Sequence, residues 1–487
     1  METVASPSRS YRWELFLNQV WQGLNFFSKA AFLVLLAPLM LKIWGPVGYG
    51  MFALASSLLV SLAILDCGVR SLTRLRLCNA RVANDTKDFN FAICEGLTAF
   101  ALITFLAFAI AAGLAAARLW SYWLQLPPEG DFLIAMTVGL IGIFMLSLLL
   151  LEPLAAEGRI SALKMANTVG AVAAIPVIGL VVWFGGSVTL AVFVYFLCLI
   201  LPNFVLFVTG DLLHAKFWQE WPRLTLHHVL STLHSGGWFY ATTLAYVAKT
   251  HVLTFLVSAI GGPAAAGIFY ILLRITEIVG GLGATSSETS QASLANESTA
   301  TKRGENFRHA YTYTLIFCLH GVLVIGFLTR MILEIWLPKE TTGLPWEISW
   351  AMALYGLGVA FSKTVVSASM GTGLVKEAAI GNLIEAALVL ACGLVLQPLL
   401  GLTGLFVGGG LASLALLPTA FHLSKNFTQH FSETWLRPIG AQLLPLLLSG
   451  ASLGMAAYFH SFILAAIALG FVGLLVIASI RRSHATN

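Results

Sequence analysis

Runs of about twenty mainly apolar residues recur along almost the whole chain, and that recurrence leaves one class of fold open. A helix needs ~20 such residues to cross the hydrocarbon of a bilayer. Charge supports the same reading. Of 487 residues, 58% are hydrophobic and only 10% are charged, with a mean hydropathy of +0.86. Soluble domains carry roughly 25% charged residues to face water. This chain cannot cover itself that way, so lipid must cover it. The short alternating segments of an outer-membrane barrel do not occur. The sequence therefore reads as an all-α polytopic membrane protein.

The apolar runs place fourteen transmembrane helices near 19–43, 49–69, 90–116, 131–151, 166–184, 188–210, 236–259, 265–286, 311–329, 347–368, 376–397, 403–424, 438–459 and 461–480. Cytoplasmic loops carry an excess of Lys and Arg, which tests that count. With both termini cytoplasmic, 19 of the 27 basic residues fall inside and only Arg118, Arg330 and Lys339 fall outside; the other five lie within helices. An error in helix number would scramble the asymmetry from that point onward. Eleven of the 13 Trp sit near helix ends, Trp21 and Trp238 being the exceptions. Amphipathic rings favour that interface. The residues from Met1 to Trp13 are polar and precede no small-residue cleavage site, so helix 1 reads as a retained anchor. The basic loops read as topology determinants or as phosphate-binding patches. The net charge of +5 follows from this asymmetry and does not call for nucleic acid.

A repeat runs through these helices. Residues 45–50 read GPVGYG and residues 262–267 read GPAAAG, an offset of 217. Each lies in the outside turn between the first two helices of a six-helix set. Gly158 and Asn167 match Gly373 and Asn382 at an offset of 215, and Gly186 matches Gly401. Turn chemistry explains Gly and Pro at such sites but not a nearly constant offset. The expected plan is thus an N-lobe over 19–210 and a C-lobe over 236–424. The two six-helix lobes are related by a parallel repeat, and two helices are appended at 438–480. Cytoplasmic segments cover 1–18, 211–235 and 481–487.

Charges deep in the bilayer are costly and usually face a bundle interior or a watery cavity. Helix 1 carries Asn18, Gln22, Asn25 and Lys29 at spacings of 4, 3 and 4, on one helical face. Lys29 lies 16 residues before Gly45, or ~24 Å along a helix. It lines a cavity or snorkels to the interface. Helix 7 carries Lys249 and His251, with Tyr246 at the strict repeat position of Lys29. Lys249 is read as a cavity cation or as a lysine tied to helix-end carbonyls, His251 as cavity-lining or as packing. Arg274 and Glu277 on helix 8 are spaced to neutralise each other, or for Arg274 to meet an anion with Glu277 tuning it. Lys363 on helix 10 is a fourth candidate cation. Asp66 and Arg70 are spaced for an i,i+4 clamp, while Glu385 and Glu95 are read as packing groups or as sites for a coupling ion.

No phosphate-binding loop, HExxH or GxSxG occurs, so no enzyme class is indicated. The six Cys are scattered, without a CxxC or a Cys/His cluster, and His227, His228 and His234 read as loop residues. No metal and no cofactor is expected; Na+ or H+ coupling stays open.

The first seventy residues carry a family likeness. Helix 1 with Asn25, Lys29 and Pro38 is followed by Lys42-Ile-Trp-Gly-Pro-Val-Gly-Tyr-Gly50 and by a helix closing on Leu65-Asp66-Cys67-Gly68. These residues, with the second turn running to Tyr270 and Arg274, resemble the polysaccharide flippases of the multidrug/oligosaccharidyl-lipid/polysaccharide exporter superfamily. The resemblance implies two lobes around a cavity of alternating access. It implies an undecaprenyl-diphosphate-linked glycan as cargo, moved to the periplasmic leaflet of a bacterial inner membrane, with polysaccharide polymerase and glycosyltransferases as neighbours. Lys29, Lys249, Arg274 and Lys363 would meet the diphosphate. The appended helices are similar to an addition in the lipid II flippase branch, which keeps lipid II open as cargo. Multidrug antiport and a non-transporting scaffold also remain open. Helix 1 has no acidic residue between Glu14 and the turn to hold a cationic drug.

Overall fold

The computed structural model describes residues 9–61, 68–83, 85–157, 159–210, 237–296, 300–338, 344–426, 439–440, 442–458 and 462–485. Regular structure among them is helical throughout. The helices are α1 (Arg9–Ser61), α2 (Val69–Val82), α3 (Thr86–Ala116), α4 (Leu119–Leu124), α5 (Glu129–Leu150), α6 (Glu152–Ala156), α7 (Ile160–Trp183) and α8 (Val188–Thr209). They continue with α9 (Gly237–Val247), α10 (Leu253–Asn296), α11 (Ala300–Trp336), α12 (Glu347–Gly371), α13 (Val375–Leu400), α14 (Leu402–Ala412), α15 (Leu417–Asn426), α16 (Leu443–Tyr458) and α17 (Phe462–Ala485).

Ten stretches among the described residues are long and apolar enough to cross a membrane, and two shorter apolar helices follow them. Two of the ten, Ala30–Leu59 and Tyr240–Glu277, are double. Phe32 and Phe52 would stand ~30 Å apart on a straight helix, yet their rings stack at 5.9 Å. The chain has reversed at Gly45, where φ is 71° and ψ 179°. It reverses again at Gly262, with φ 76° and ψ 175°. There His251 and Glu277, ~39 Å apart on a straight helix, approach to 3.8 Å. Counting both legs of each hairpin gives about fourteen crossings. Only glycine adopts this backbone region readily. The proline that follows each glycine has a φ suited to a first helical turn and lacks the N–H that such a turn leaves unpaired. The matching dihedrals at Gly45 and Gly262 give the sequence repeat a physical form. At the next matched turns the positive-φ residues are Gly185 and Gly401, so the first is one residue from the Gly186 of the sequence match.

The chain divides into two compact units. The first takes in Met1–Tyr240 and Thr254–Ile268; the second takes in Ala241–Leu253 and Phe269–Asn487. The second repeat's turn is thus part of the first unit. Ser258 donates to the Leu124 carbonyl at 2.8 Å, and Gln125 Nε2 donates to the Ala259 carbonyl at 2.9 Å. Gly50 passes so close to Pro263 that a Cβ would stand 1.7 Å from the Pro263 carbonyl oxygen.

The segment 70–89, read from sequence as a basic loop, contains the amphipathic helix α2. Leu77 and Val69 enter a core with Ile93, Leu97, Phe100 and Leu149 of α3 and α5. The other face carries arginines. Arg70 and Arg74 both bond Glu152, Arg74 through two contacts of 2.6 and 2.9 Å, and Arg76 bonds Glu95. Arg70 was expected beside Asp66; Asp66 lies outside the described residues. Glu95, read as packing or ion-coupling, is an anchor for α2.

In the second unit, Leu328 and Met331 of α11 pack with Leu453 and Ala456 of α16 and Ala465, Ala468 and Val472 of α17. That core holds the appended pair in place. Large apolar side chains lie exposed on the long helices, with Phe105 at 67%, Leu447 at 70% and Ile463 at 74% exposure. Such surface is stable against hydrocarbon, not water. The protein is a multi-pass membrane protein.

Gly45 has open space where a Cβ would stand, so Gly45→Ala tests backbone strain alone. It is expected to lower stability by ~1–3 kcal/mol. Gly113→Ala, within α3 and equally open, should cost nothing. Thermal unfolding of the two variants in detergent decides this; equal midpoints would contradict the reversal argument.

Candidate functional site

The polar groups that the sequence placed in the second lobe gather around one distorted helical turn. Between α9 and α10 the chain widens into a π-helical turn, Ala248–Val252. The extra residue in such a turn re-aims side chains, and π-turns are frequent at functional sites. Here the turn directs Lys249 into the unit. Lys249 is 3% exposed. Its ammonium donates to Ser362 Oγ at 2.5 Å, Asn382 Oδ1 at 2.8 Å and Glu385 Oε2 at 2.6 Å. An ammonium has three protons to give, and all three are given.

The partners are held in turn. Ser362 Oγ donates to Glu385 Oε2 at 2.7 Å, and Asn382 Nδ2 donates to the Thr242 carbonyl at 3.0 Å. Tyr355 donates its hydroxyl proton to the Lys249 carbonyl at 3.1 Å. Residues of α9, the π-turn, α12 and α13 are thereby joined in one network. Sequence reasoning named Lys249 and Glu385 but not their contact. It passed over Ser362 and Tyr355. The legible signal was the i,i+3 spacing of Asn382 and Glu385, which puts both on one face of α13.

A second cluster adjoins the first. Arg274 donates to Glu277 Oε2 at 2.5 Å, and His251 Nε2 lies 3.8 Å from Glu277 Oε1. The Arg274 guanidinium stands 4.7 Å from the centre of the Tyr270 ring. The Lys363 ammonium stands 5.3 Å from the centre of the Tyr246 ring and acts electrostatically on Lys249, His251 and Glu277. Cations favour such ring faces. His251 Nδ1 and Glu277 Oε1 are buried without a hydrogen-bond partner among the described residues. In these clusters Lys249, Arg274 and Lys363 face two carboxylates, Glu277 and Glu385.

The four expected cavity cations thus stand differently. Lys249 is enclosed and neutralised. Arg274 is paired but partly exposed, at 24% of its side chain. Lys363 is half-buried. The backbone is helical at Asn18, Gln22 and Lys29, and their side chains lie outside the described residues, so the helix 1 stripe is represented by half-buried Asn25. Two cavities hold none of these residues. One of about 950 Å³ runs between α3 and α5 beside Phe105, Phe108 and Phe132, and one of about 430 Å³ lies beside Leu315, Leu354 and Leu414. No group of three or more His, Cys, Asp or Glu that could hold a metal occurs among the described residues.

The repeat has kept part of this site and lost part. At the 215-residue offset Ser362 and Asn382 correspond to Ser147 and Asn167, while Glu385 corresponds to Gly170. At the 217-residue offset Lys249 corresponds to Phe32, which packs on Phe52 and Tyr195. A Cβ at Gly170 would stand 2.6 Å from the Cys198 carbonyl oxygen, so α7 and α8 leave no room for a carboxylate there.

No family model matches the chain, and no curated protein matches it in sequence. Solved structures do match in fold. The lipid II flippase MurJ in an inward closed conformation superposes with a TM-score of 0.71 at 14% identity, covering 94% of this chain and 97% of that one. The chain shares its fold. An inward-facing multidrug resistance transporter of the MATE family, in the MOP superfamily, gives 0.60 at 15% identity over 84% of this chain and 96% of that one. The MATE multidrug transporter DinF-BH gives 0.57 at 14% identity over 88% and 98%. Within this fold the flippase covers about a tenth more of the chain than the first multidrug transporter.

Losing one member of the Lys249–Glu385 pair leaves a buried charge alone. Glu385→Leu is expected to cost about 3–5 kcal/mol. Glu385→Leu combined with Lys249→Met should recover most of that loss. Unfolding midpoints of the wild type and these two variants test the coupling; additive losses would break it.

Proposed function

We propose that this protein is an alternating-access flippase that moves a polyprenyl-diphosphate-linked oligosaccharide from the cytoplasmic to the outer leaflet of a bacterial inner membrane. Both termini would lie in the cytoplasm. The observation that carries the reading is the pair of cations in the second unit that burial does not fully enclose. Lys363 and Arg274 are partly accessible, and each lies against a tyrosine ring. A diphosphate entering a low-dielectric passage must exchange water for counter-charges and charge-assisted hydrogen bonds. A partly exposed guanidinium and ammonium offer both. Lys29 of α1 remains a candidate cation of the first repeat. Lys249, closed in its own network, would serve the architecture of the passage and not the cargo. The likeness in fold to a lipid II flippase supports a lipid-linked cargo.

A second reading takes lipid II itself as the cargo. It is favoured by the coverage of the chain by that flippase and by the two appended helices, α16 and α17. Multidrug antiport draws support from the MATE likeness but lacks an acidic residue in α1 beyond Glu14. Partners of a glycan flippase would be the polymerase and glycosyltransferases that make and use the lipid-linked unit. Proton or sodium coupling is compatible with either lipid cargo.

Reconstitution with a fluorescent polyprenyl-diphosphate oligosaccharide, followed by an external quencher, tests the proposal. Wild type should exchange the probe between leaflets. Lys363→Ala and Arg274→Ala should slow exchange by about tenfold or more, as loss of a charge-assisted contact of ~1.5–3 kcal/mol requires. Exchange of fluorescent lipid II but not of the oligosaccharide probe would shift the cargo to the second reading. Transport of a cationic dye alone would overturn both.

A further inference from the structure

The surroundings of Lys249 have the chemistry of a cation-binding site. One carboxylate oxygen, one amide carbonyl oxygen and one hydroxyl oxygen converge on a single point, at 2.6, 2.8 and 2.5 Å from the ammonium nitrogen. Carboxylate and carbonyl oxygens are what a hard metal cation takes as ligands. Two of these ligands are oriented by further bonds. Asn382 Nδ2 is held by the Thr242 carbonyl, which turns Oδ1 inward, and the Ser362 proton is directed to Glu385. The acceptors are therefore pre-oriented around the centre, which the lysine nitrogen fills.

We infer that the Lys249 ammonium is a resident cation, occupying an oxygen cage that would otherwise bind a monovalent metal ion such as Na+. The second unit then keeps its packing without sodium, and the cage opens to sodium when the side chain is shortened. The charge count supports this assignment. Glu385, 2% exposed, needs one positive charge beside it, and the cage holds room for one. The repeat supports it too, because the first unit lacks both charges together: Phe32 and Gly170 stand where Lys249 and Glu385 stand. This inference concerns ion requirement and does not depend on which cargo is carried.

The test measures stability, not transport. The full chain is purified in detergent as wild type, Lys249→Ala and Lys249→Ala/Glu385→Gln. Thermal unfolding is then followed in sodium chloride and in choline chloride of equal concentration. A ligand that binds only the folded state raises the midpoint as its concentration rises. Wild type should unfold at the same temperature in both salts. Lys249→Ala should be destabilised in choline and regain stability as sodium is added. The double variant, with no buried carboxylate to neutralise, should lose that sodium response. A sodium gain in wild type as large as in Lys249→Ala would overturn the inference, as would a folded Lys249→Ala indifferent to sodium. Failure of Lys249→Ala to fold even in sodium, while the double variant folds, would also overturn it, since sodium would then not replace the ammonium.

Discussion

In hydrocarbon there is no water to satisfy a polar group, so every buried donor and charge must find its partner inside the protein. Lys249 meets that constraint at the centre of the second unit. Its ammonium has three acceptors, and its backbone carbonyl, in a widened helical turn, is taken by Tyr355. The packing of α9, α10, α12 and α13 follows from this. Each of these helices contributes a residue to the network or is continuous with the turn that carries it. An apolar core alone would let such helices slide, because lipid tails are as apolar as leucine. A buried ionic network has one register.

The same constraint is met differently in the first unit. There the positions of the charged pair are apolar or small. Phe32 packs on Phe52 and Tyr195, and Gly170 lets α7 approach α8 closely. The first unit's ion pairs lie instead where α2 docks, and their arginines are partly exposed: 28% for Arg70, 41% for Arg74 and 35% for Arg76. Their carboxylates, Glu152 and Glu95, are buried. Such an arrangement fastens an amphipathic helix to the bundle while the guanidinium groups keep contact with water. The two halves thus share a chain reversal and a helix plan, yet among the described residues only the second joins a lysine and a glutamate that are both fully buried.

That asymmetry bears on function. A passage for an anionic headgroup needs positive charge that is neither fully paired nor fully exposed. Lys249 is too well satisfied to supply it. In the proposed function Lys363 and Arg274, partly buried beside aromatic rings, would supply it, and Glu277 and His251 beside them each carry a buried polar atom without a hydrogen-bond partner among the described residues.

Much of this was legible in the sequence, for identifiable reasons. Crossing a bilayer requires about twenty apolar residues per helix, so composition and run length alone determined a helical membrane protein of about fourteen crossings. The two Gly-Pro turns, 217 residues apart, marked the repeat because only glycine takes the backbone angles that a reversal there demands. The identities of the deep charges were visible as well, since charge in a hydrophobic run stands out. Their pairings were not. Lys249 meets Glu385 and Arg70 meets Glu152 across 136 and 82 residues of chain, and no local spacing encodes such a contact. Helix α2 was hidden because its arginines read as a loop of topology-setting charge. Only the tertiary structure distinguished a cation that is closed into a cage from one that is only partly buried. That distinction depends on which acceptors lie within hydrogen-bonding distance, and packing between distant helices decides it.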